Sequence, residues 1–409
     1  MIDLKAARAN PAGVRTALAR KGAADAFDCL LEADERWRAL VPRVDELRAK
    51  TKLKGKPTPE QLEELQAVKA ELKSAEDELA AAEDERDALA LRVPNPPDDD
   101  VPDGSNDADA REVRRVGEPP SLSDPRDHLE LGRFEMERAA RMSGSRFGYW
   151  VGDTARLALA LFRLALERLA DKGFVTVLPP VLVREEALVG TGAFPSDEAN
   201  VYELPEDDLY LAGTAEIPVA SIHAGEILPA DDLPLRYVAF SPCFRREAGA
   251  AGKDTRGMFR VHQFNKVEQF ALTLPEHSWD EHELLLTNTE ELVRDLGLAY
   301  RIVVLPAGDM SSASAKTYDI EIWFPSQGRY REIASISNTT DFQARRLSIR
   351  VRRNGSPEPV HMLNATAIVD RMALAVLENF QDEHGSAAVP SILQEFGAPA
   401  RVGVAAASA

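Results

Sequence analysis

The chain has 409 residues, 44% of them hydrophobic, so it is long enough for more than one domain with a buried core. Asp and Glu outnumber Lys and Arg by 68 to 49, and a net charge of −19 is the opposite of what a nonspecific nucleic-acid coat requires. The chain has only two cysteines, which argues against a disulfide framework and against a cysteine-rich zinc site. It has no long uncharged apolar run and no secretion signal, which argues against membrane insertion. Together these features predict a cytoplasmic protein.

Two long helices are predicted near the amino end, over about 24–53 and 58–92. Both stretches lack glycine and are dense in Ala, Leu, Glu, Lys and Arg. In the second, Leu65, Leu72 and Leu79 repeat every seven residues, which is typical of a coiled-coil seam. The glycine and prolines between the two stretches stop one helix and start the next. We therefore predict an antiparallel hairpin, a rod of about 45 Å at a rise of about 1.5 Å per residue.

Five basic residues without an acidic neighbour cluster beside the predicted turn of this hairpin. They are Arg48, Lys50, Lys52, Lys54 and Lys56. Because the chain as a whole is strongly acidic, the cluster indicates a local phosphate-binding tip. A merely solvated hairpin end accounts for these residues equally well.

A change of composition predicts the domain boundary. The run Pro94-Asn95-Pro96-Pro97 cannot continue a helix, and the stretch that follows is rich in Pro, Asp, Gly and Ser. We therefore expect an arm over 1–97, a linker over 98–127 and an α+β domain over 128–409. Within that domain, a helix over 154–171 leads into a strand and Pro179-Pro180, as expected at a sheet edge or subunit boundary.

Two strand-like runs, 235–247 and 259–270, flank a glycine-rich basic loop and predict a long antiparallel hairpin. Strand alternation would place Arg245 and Glu247 on one face of the first run. It would likewise place Arg260, Phe264 and Glu268 on one face of the second. Arginines suit a polyphosphate, an aromatic ring can stack on a base, and carboxylates can hold an amine or a hydroxyl. A salt-bridged exposed sheet face is the alternative explanation.

Two further segments carry candidate ligands. Glu332 and Ser335 supply hard oxygen atoms of the kind that Mg²⁺ prefers, although an ordinary polar strand end would look the same. Arg371 lies early in a helix that is otherwise rich in Ala, Leu and Val, so it needs a partner. That partner is either an internal carboxylate, which is the commoner case, or a bound phosphate.

With these motifs in view, the chain resembles the class II aminoacyl-tRNA synthetases, and within them the seryl-tRNA synthetases. The resemblance depends on the stretches 244–257, Arg260-Val261-His262-Gln263-Phe264 and 338–346, and it extends over the whole chain including the arm. It implies an α+β fold in which an antiparallel sheet is flanked by helices and preceded by an antiparallel two-helix coiled-coil arm. It also implies a homodimer that uses ATP and Mg²⁺ to activate L-serine as seryl-adenylate. The seryl group then passes to the 3′ end of tRNA(Ser), with neither DNA nor a membrane as partner.

The resemblance assigns roles residue by residue. Arg245, Glu247, Arg260 and Arg371 would be catalytic, and Glu332 and Ser335 would bind the metal. The ATP site would consist of Arg245, Arg246, Glu247, Arg260, Val261, Phe264, Glu332, Ile333, Ala334, Ser335 and Arg371. The serine site would consist of Thr214, Ala215, Glu216, Arg245, Glu268 and Thr366. The basic tip from Arg48 to Lys56 would bind tRNA.

The sequence departs from the family pattern at a few positions. Arg246 and Ala334 stand where the family usually has Ser, on the side of each strand that we expect to face away from the site. Asp370 stands where Gly or Pro usually precedes the arginine of the third motif, close to where the polyphosphate is expected.

These departures leave other functions open. One alternative is a second seryl-tRNA synthetase copy that serves resistance or secondary-metabolite biosynthesis. The other is a noncatalytic tRNA-binding relative. Class I chemistry is disfavoured because that class's signature motifs are absent from the sequence. The zinc-dependent seryl relatives are disfavoured because neither Cys29 nor Cys243 has a ligand set around it.

Overall fold

The computed structural model describes residues 1–52, 58–249, 252, 254, 256–353 and 355–403. The chain divides into two compact units, Met1–Pro96 and Pro97–Ala409. None of the described helices is long and apolar enough to cross a membrane.

The first unit is entirely helical. Its helices are α1 (Leu4–Ala9), α2 (Pro11–Ala19), α3 (Ala24–Lys50) and α4 (Pro59–Ala90). Thr58 caps α4 through a capping box with Gln61, so this helix begins where the sequence predicts. Gly55 and the rest of 53–57 lie outside the described residues.

Helices α3 and α4 form the predicted antiparallel arm. Their seam buries Val44, Leu47 and Ala75, with half-buried apolar residues of α4 packed around them. Ion pairs across the seam show the direction, because Arg36 pairs with Glu85 at 2.7 Å whereas the later Arg48 pairs with the earlier Glu76 at 2.9 Å.

The second unit contains nine α-helices and eighteen strands among its described residues. The helices are α5 (His128–Leu131), α6 (Met136–Ser143), α7 (Asp153–Asp171), α8 (Glu185–Thr191), α9 (Glu216–Ala220), α10 (Ser278–Asp295), α11 (Phe342–Leu347), α12 (Asp370–Asn379) and α13 (Ser391–Gln394). The strands are β1 (Arg111–Val116), β2 (Phe134–Glu135), β3 (Tyr149–Trp150), β4 (Val175–Val177), β5 (Leu182–Val183), β6 (Tyr202–Leu204), β7 (Leu209–Leu211), β8 (Ile227–Pro229), β9 (Leu235–Phe244), β10 (Gln263–Thr273), β11 (Tyr300–Val304), β12 (Lys316–Phe324), β13 (Arg329–Asn338), β14 (Arg350–Arg352), β15 (Pro357–Pro359), β16 (His361–Val369), β17 (Ser386–Ala388) and β18 (Arg401–Gly403).

An eight-stranded sheet organises this unit, in the order β1-β11-β12-β13-β16-β10-β9-β4. Every neighbouring pair is antiparallel except β4 and β9, which run parallel. Helix α10 packs against β13 and β16, while α7 packs against β9 and β16. The main hydrophobic core lies between these helices and the sheet. The α+β fold with a helix-flanked antiparallel sheet is as predicted.

The stretch 98–127, expected to be a linker, is part of the second unit. Strand β1 lies within it and pairs with β11, with Arg111 opposite Val304 and Val116 opposite Tyr300. The backbone N–H of Asp98 also donates to the Ala315 carbonyl at 2.9 Å. Sequence reasoning did not find this strand because its side chains are mostly exposed and charged, which hides the alternation of an edge strand.

Candidate active site

A cavity of about 260 Å³ opens over β10, β13 and β16. Most of the predicted site residues line it: Thr214, Glu216, Arg245, Glu247, Arg260, Val261, Phe264, Glu268, Glu332, Ile333, Ser335, Thr366 and Arg371. These residues come from stretches that are up to 157 positions apart between Thr214 and Arg371. The fold therefore gathers into one place the groups that the sequence singled out.

Three residues assigned to the site by the resemblance do not line this cavity. Arg246 turns away, because its Nε donates to the Val201 carbonyl at 2.8 Å and its guanidinium lies 4.8 Å from the centre of the Tyr202 ring. Ala215 and Ala334 are buried in the hydrophobic clusters behind the cavity.

The predicted strand runs around the loop are shorter than expected. Strand β9 ends at Phe244 and β10 begins at Gln263, so Arg245, Glu247 and Arg260 reach the cavity from the connecting loop. The prediction that strand alternation directs these three side chains was wrong. The chain leaves the hairpin because the backbone N–H groups of Arg246 and Ala248 bond to Asn200.

Strand β10 supplies the part of the cavity that alternation does explain. Phe264 and Glu268 are two of its lining residues, and Lys266 between them is a third. The Lys266 ammonium forms a buried ion pair with Glu268. The sequence analysis did not assign a role to Lys266, although its period-two spacing from both neighbours was the signal that could have found it.

At one end of the cavity, the buried carboxyl group of Glu268 lies close to that of the half-buried Glu216. Glu216 accepts hydrogen bonds from Gln343 at 2.7 Å and from Asn364 at 3.0 Å. Burial, helped by the negative charge of Glu268, raises the pKa of Glu216 to about 7. Thr214 donates to Glu268 at 3.3 Å. This end can bind a small ligand that carries both an ammonium group and a hydroxyl group.

Gln343 and Asn364 were not assigned a site role from the sequence. Asn364 precedes Thr366 by two positions on β16, so strand alternation alone places both on the cavity side. Gln343 gave no periodic signal because it reaches Glu216 from the short helix α11.

The other end of the cavity is rich in arginine. Arg260 forms an ion pair with Glu247, and Arg371 bonds to Glu332 at 2.8 Å. The Arg245 guanidinium lies 5.3 Å from the centre of the Phe264 ring. The carboxylates of Glu247 and Glu332 hold Arg260 and Arg371 in place without a ligand, and a polyphosphate offers these arginines stronger bidentate partners.

Glu332 and Ser335 both line the cavity although they are three positions apart on β13. Simple alternation would place them on opposite faces. A β-bulge resolves this, because Ile320 pairs with Ala334 whereas the next residue, Glu321, pairs with Glu332. The resulting extra residue, Ile333, returns Glu332 to the side of Ser335.

The donor set around Glu332 fits a magnesium ion that is shared with phosphates. Burial alone would raise the pKa of Glu332, but the charge and hydrogen bond of Arg371 outweigh it and hold that pKa below its ordinary value. Nearby, burial and the charge of Glu332 raise the pKa of Asp319, whose Oδ1 is buried without a hydrogen-bond partner. Among the described residues no cluster of three His, Cys, Asp or Glu side chains could hold a metal alone. Mg²⁺ usually keeps waters and phosphate ligands, so Glu332 and Ser335 suffice.

Asp370, the departure beside the third-motif arginine, also lines the cavity. Its Oδ2 accepts a hydrogen bond from the Asn265 backbone N–H at 2.7 Å, while its Oδ1 is buried without a partner. Burial raises the pKa of Asp370 to about 7. The carboxyl group therefore satisfies the backbone N–H of Asn265 near the start of β10. It also carries much less negative charge near neutral pH than an exposed aspartate.

The arm carries the other predicted site. Arg48 and Lys50 are exposed and paired with Glu76 and Glu46, and Lys52 is exposed. Exposed pairs of this kind contribute little to stability, so phosphates can displace their carboxylates. Lys54 and Lys56 lie outside the described residues.

Comparison with known proteins gives two family matches. Residues 1–97 match the seryl-tRNA synthetase N-terminal domain, and residues 201–380 match the class II tRNA synthetase core domain (G, H, P, S and T). Serine–tRNA ligases from Thermobifida fusca and Geobacter sulfurreducens are 46% and 43% identical to the chain. Each alignment covers 97% of the chain, and it covers 97% and 98% of the respective relative.

A crystal structure of seryl-tRNA synthetase from Pyrococcus horikoshii complexed with ATP superposes with a TM-score of 0.93 at 39% identity. That match covers 99% of this chain and 100% of the other. The structure of the M. kandleri seryl-tRNA synthetase, solved in complex with A. aeolicus tRNASec, superposes with a TM-score of 0.60 at 18% identity. That match covers 83% of this chain and 71% of the other, and it shows a likeness of fold alone.

Proposed function

The chain belongs to the seryl-tRNA synthetases, and from that premise we propose which of its residues carry out the reaction of the family. The enzyme is a class II serine–tRNA ligase that activates serine with ATP and transfers the seryl group to tRNA. A serine carboxylate oxygen bonds to the α-phosphorus, the bond to the bridging oxygen breaks, and pyrophosphate leaves. No protein nucleophile is needed, so the residues act by positioning and charge stabilisation.

The two-carboxylate end of the cavity binds serine in this proposal. Glu268 and Glu216 hold the ammonium and hydroxyl groups, with Thr214 and Thr366 completing the hydrogen bonds. Arg245 holds the serine carboxylate at the side nearest the nucleotide. Alanine would leave a buried acceptor unpaired, and this costs about 1 to 3 kcal/mol.

The arginine-rich end binds ATP. Phe264 stacks on adenine, Arg260 and Arg371 hold the distal phosphates, and Arg245 holds the α-phosphate. Glu332 and Ser335 would hold Mg²⁺, which neutralises charge on the phosphate oxygens. When ATP enters, Arg260 and Arg371 exchange their present carboxylate partners for phosphate oxygens.

The proposal also covers the cellular setting and the partners. The basic tip of the arm contacts the backbone of tRNA(Ser), since its cations form only weak surface pairs. The enzyme works in the cytoplasm as a homodimer. Strand β4 is one edge of the large sheet, and Val175 on it and Leu178 directly after it are 58% and 76% exposed, as suits a subunit interface.

The observation that carries this assignment is one cavity with two carboxylates at one end and arginines with an aromatic ring at the other. The test is exchange of labelled pyrophosphate into ATP with serine, alanine, threonine or cysteine. We expect exchange with serine only. Exchange with none of the four would contradict adenylation and favour a noncatalytic tRNA-binding relative.

A further inference from the structure

Lys266 is a buried cation to which the proposed function gives no task. Its side chain is 9% exposed and that of its partner Glu268 is 2% exposed. On β10 it stands between Phe264 and Glu268, and residues two apart on a strand are separated by roughly 6.5 Å. Lys266 therefore projects from the strand between the residues that carry the proposed adenine and serine positions, where the α-phosphate and the serine carboxylate must meet, and its ammonium group rests on Glu268.

The present partner of Lys266 is the group that serine needs. Its ammonium pairs with the Glu268 carboxylate, which is also the proposed acceptor for the ammonium of serine. Thr214 already donates to the same oxygen, Oε2, of Glu268. This oxygen therefore already has two donors, and an incoming serine ammonium that takes it competes with Lys266.

We propose that Lys266 exchanges partners during catalysis: the serine ammonium displaces it from Glu268, and the released Lys266 ammonium binds a non-bridging oxygen of the α-phosphate. This inference rests on the placement of serine and ATP proposed above. A displaced cation in a buried site requires a new anion, and the long flexible lysine stem allows its ammonium to reach one. The α-phosphate is the anion that appears beside it when ATP is bound.

The exchange would stabilise the transition state without moving a proton. As the serine carboxylate bonds to phosphorus, negative charge develops on the non-bridging oxygens, and a positioned cation stabilises that charge. Lys266 remains an ammonium throughout. The exchange also links the two substrates, because serine binding frees a ligand for ATP, and by thermodynamic linkage ATP must then favour serine to the same extent.

The test uses L-serinamide, which has the ammonium and hydroxyl groups of serine but no reactive carboxylate, together with α,β-methylene-ATP. Calorimetry gives the dissociation constant of each compound with and without the other. For the unaltered enzyme we expect serinamide to tighten binding of the nucleotide at least about fivefold.

The Lys266→Met variant should lose this coupling and exchange pyrophosphate about 10²-fold more slowly. It should bind serinamide more tightly than the unaltered enzyme, because the competing cation is gone. Lys172→Met removes a lysine that pairs with Glu291 away from the cavity and should match the unaltered enzyme in all three measurements.

Weaker serinamide binding by Lys266→Met, or coupling that persists in it, would show that Lys266 is only structural. If the variant does not fold, the unaltered enzyme still decides, since absence of coupling there overturns the exchange. Glu268→Gln separates this inference from its premise. Unchanged serinamide binding by that variant would refute the serine placement itself, whereas lost binding without coupling in the unaltered enzyme would refute the exchange alone.

Discussion

Replacing Asp370 with Asn should stabilise the enzyme in alkaline solution. The Asn side-chain oxygen can still accept the hydrogen bond from the Asn265 N–H, while the group that must be ionised in a buried place is removed. Burial raises the pKa of Asp370 to about 7 from an ordinary value of 3.8. The folded state therefore holds this proton more tightly than the unfolded state, and stability falls as the pH rises through the interval between the two values.

The size of the effect follows from the two pKa values. Below about pH 4 the group is protonated in both states and costs nothing. At pH 5 the penalty is about 1.5 kcal/mol, and at pH 8 it approaches its maximum of about 4 kcal/mol, since one pKa unit is worth about 1.4 kcal/mol. The variant should therefore gain about 2.5 kcal/mol on the unaltered enzyme between pH 5 and pH 8.

Urea unfolding at a fixed protein concentration, followed by tryptophan fluorescence at pH 5 and pH 8, measures this difference. Asp103→Asn, at an exposed position outside the cavity, is the matched control for the chemical change from carboxylate to amide. A stability difference between Asp370→Asn and the unaltered enzyme that does not change with pH would refute the reasoning. It would mean that the carboxyl group is ionised in the folded enzyme at little cost.

Three further outcomes are expected. Glu268→Gln should lower serine-dependent pyrophosphate exchange at least about 10²-fold, and it should also lower thermal stability because it leaves the buried Lys266 ammonium without its carboxylate partner; an unchanged exchange rate in the folded variant would contradict the serine assignment. Arg371→Lys keeps the charge but loses the planar fork, so KM for ATP should rise about tenfold in exchange assays, and an unchanged KM would argue against a phosphate contact. Deleting 50–56 should spare exchange but weaken aminoacylation and lower its dependence on salt, whereas equal loss of both steps would contradict a tRNA-binding tip.

The helical arm could be predicted from the sequence because one local pattern determines it. A seven-residue repeat places Leu72 and Leu79 on the seam, and a capping residue at Thr58 marks where the second helix begins. Neither signal needs information from distant residues. The edge strand β1 differs, because it is ordered by its backbone pairing with β11 and by tertiary ion pairs such as that of Arg114 with Glu290, which leave little trace in the hydrophobic pattern of its side chains.

The residues of the candidate site could largely be predicted from the sequence, but the directions of their side chains could not. Motifs identified Arg245 and Arg260, but strand alternation does not determine where their side chains point, because β9 ends before Arg245 and β10 begins after Arg260. Lys266 shows the reverse case. Regular alternation on β10 places it in the cavity, but no motif assigns a chemical role to it. Sequence patterns report which chemistry is available, whereas the place where a strand ends depends on tertiary hydrogen bonds such as those to Asn200.

Two bulges explain how one sheet face can present so many polar groups. On β13 the extra residue is Ile333, and on β16 it is Ala367, because Val267 pairs with Ile368 while the next residue, Glu268, pairs with Thr366. Each bulge reverses the alternation of its strand, so ligand residues can lie on the cavity side both before and after it. Without the bulge on β13, Glu332 would lie on the face opposite Ser335 and Ser337, in the core behind the sheet, where it would need a partner. The bulges thus allow the sheet to keep a continuous apolar face against its helices while the opposite face is assembled from residues at irregular spacing.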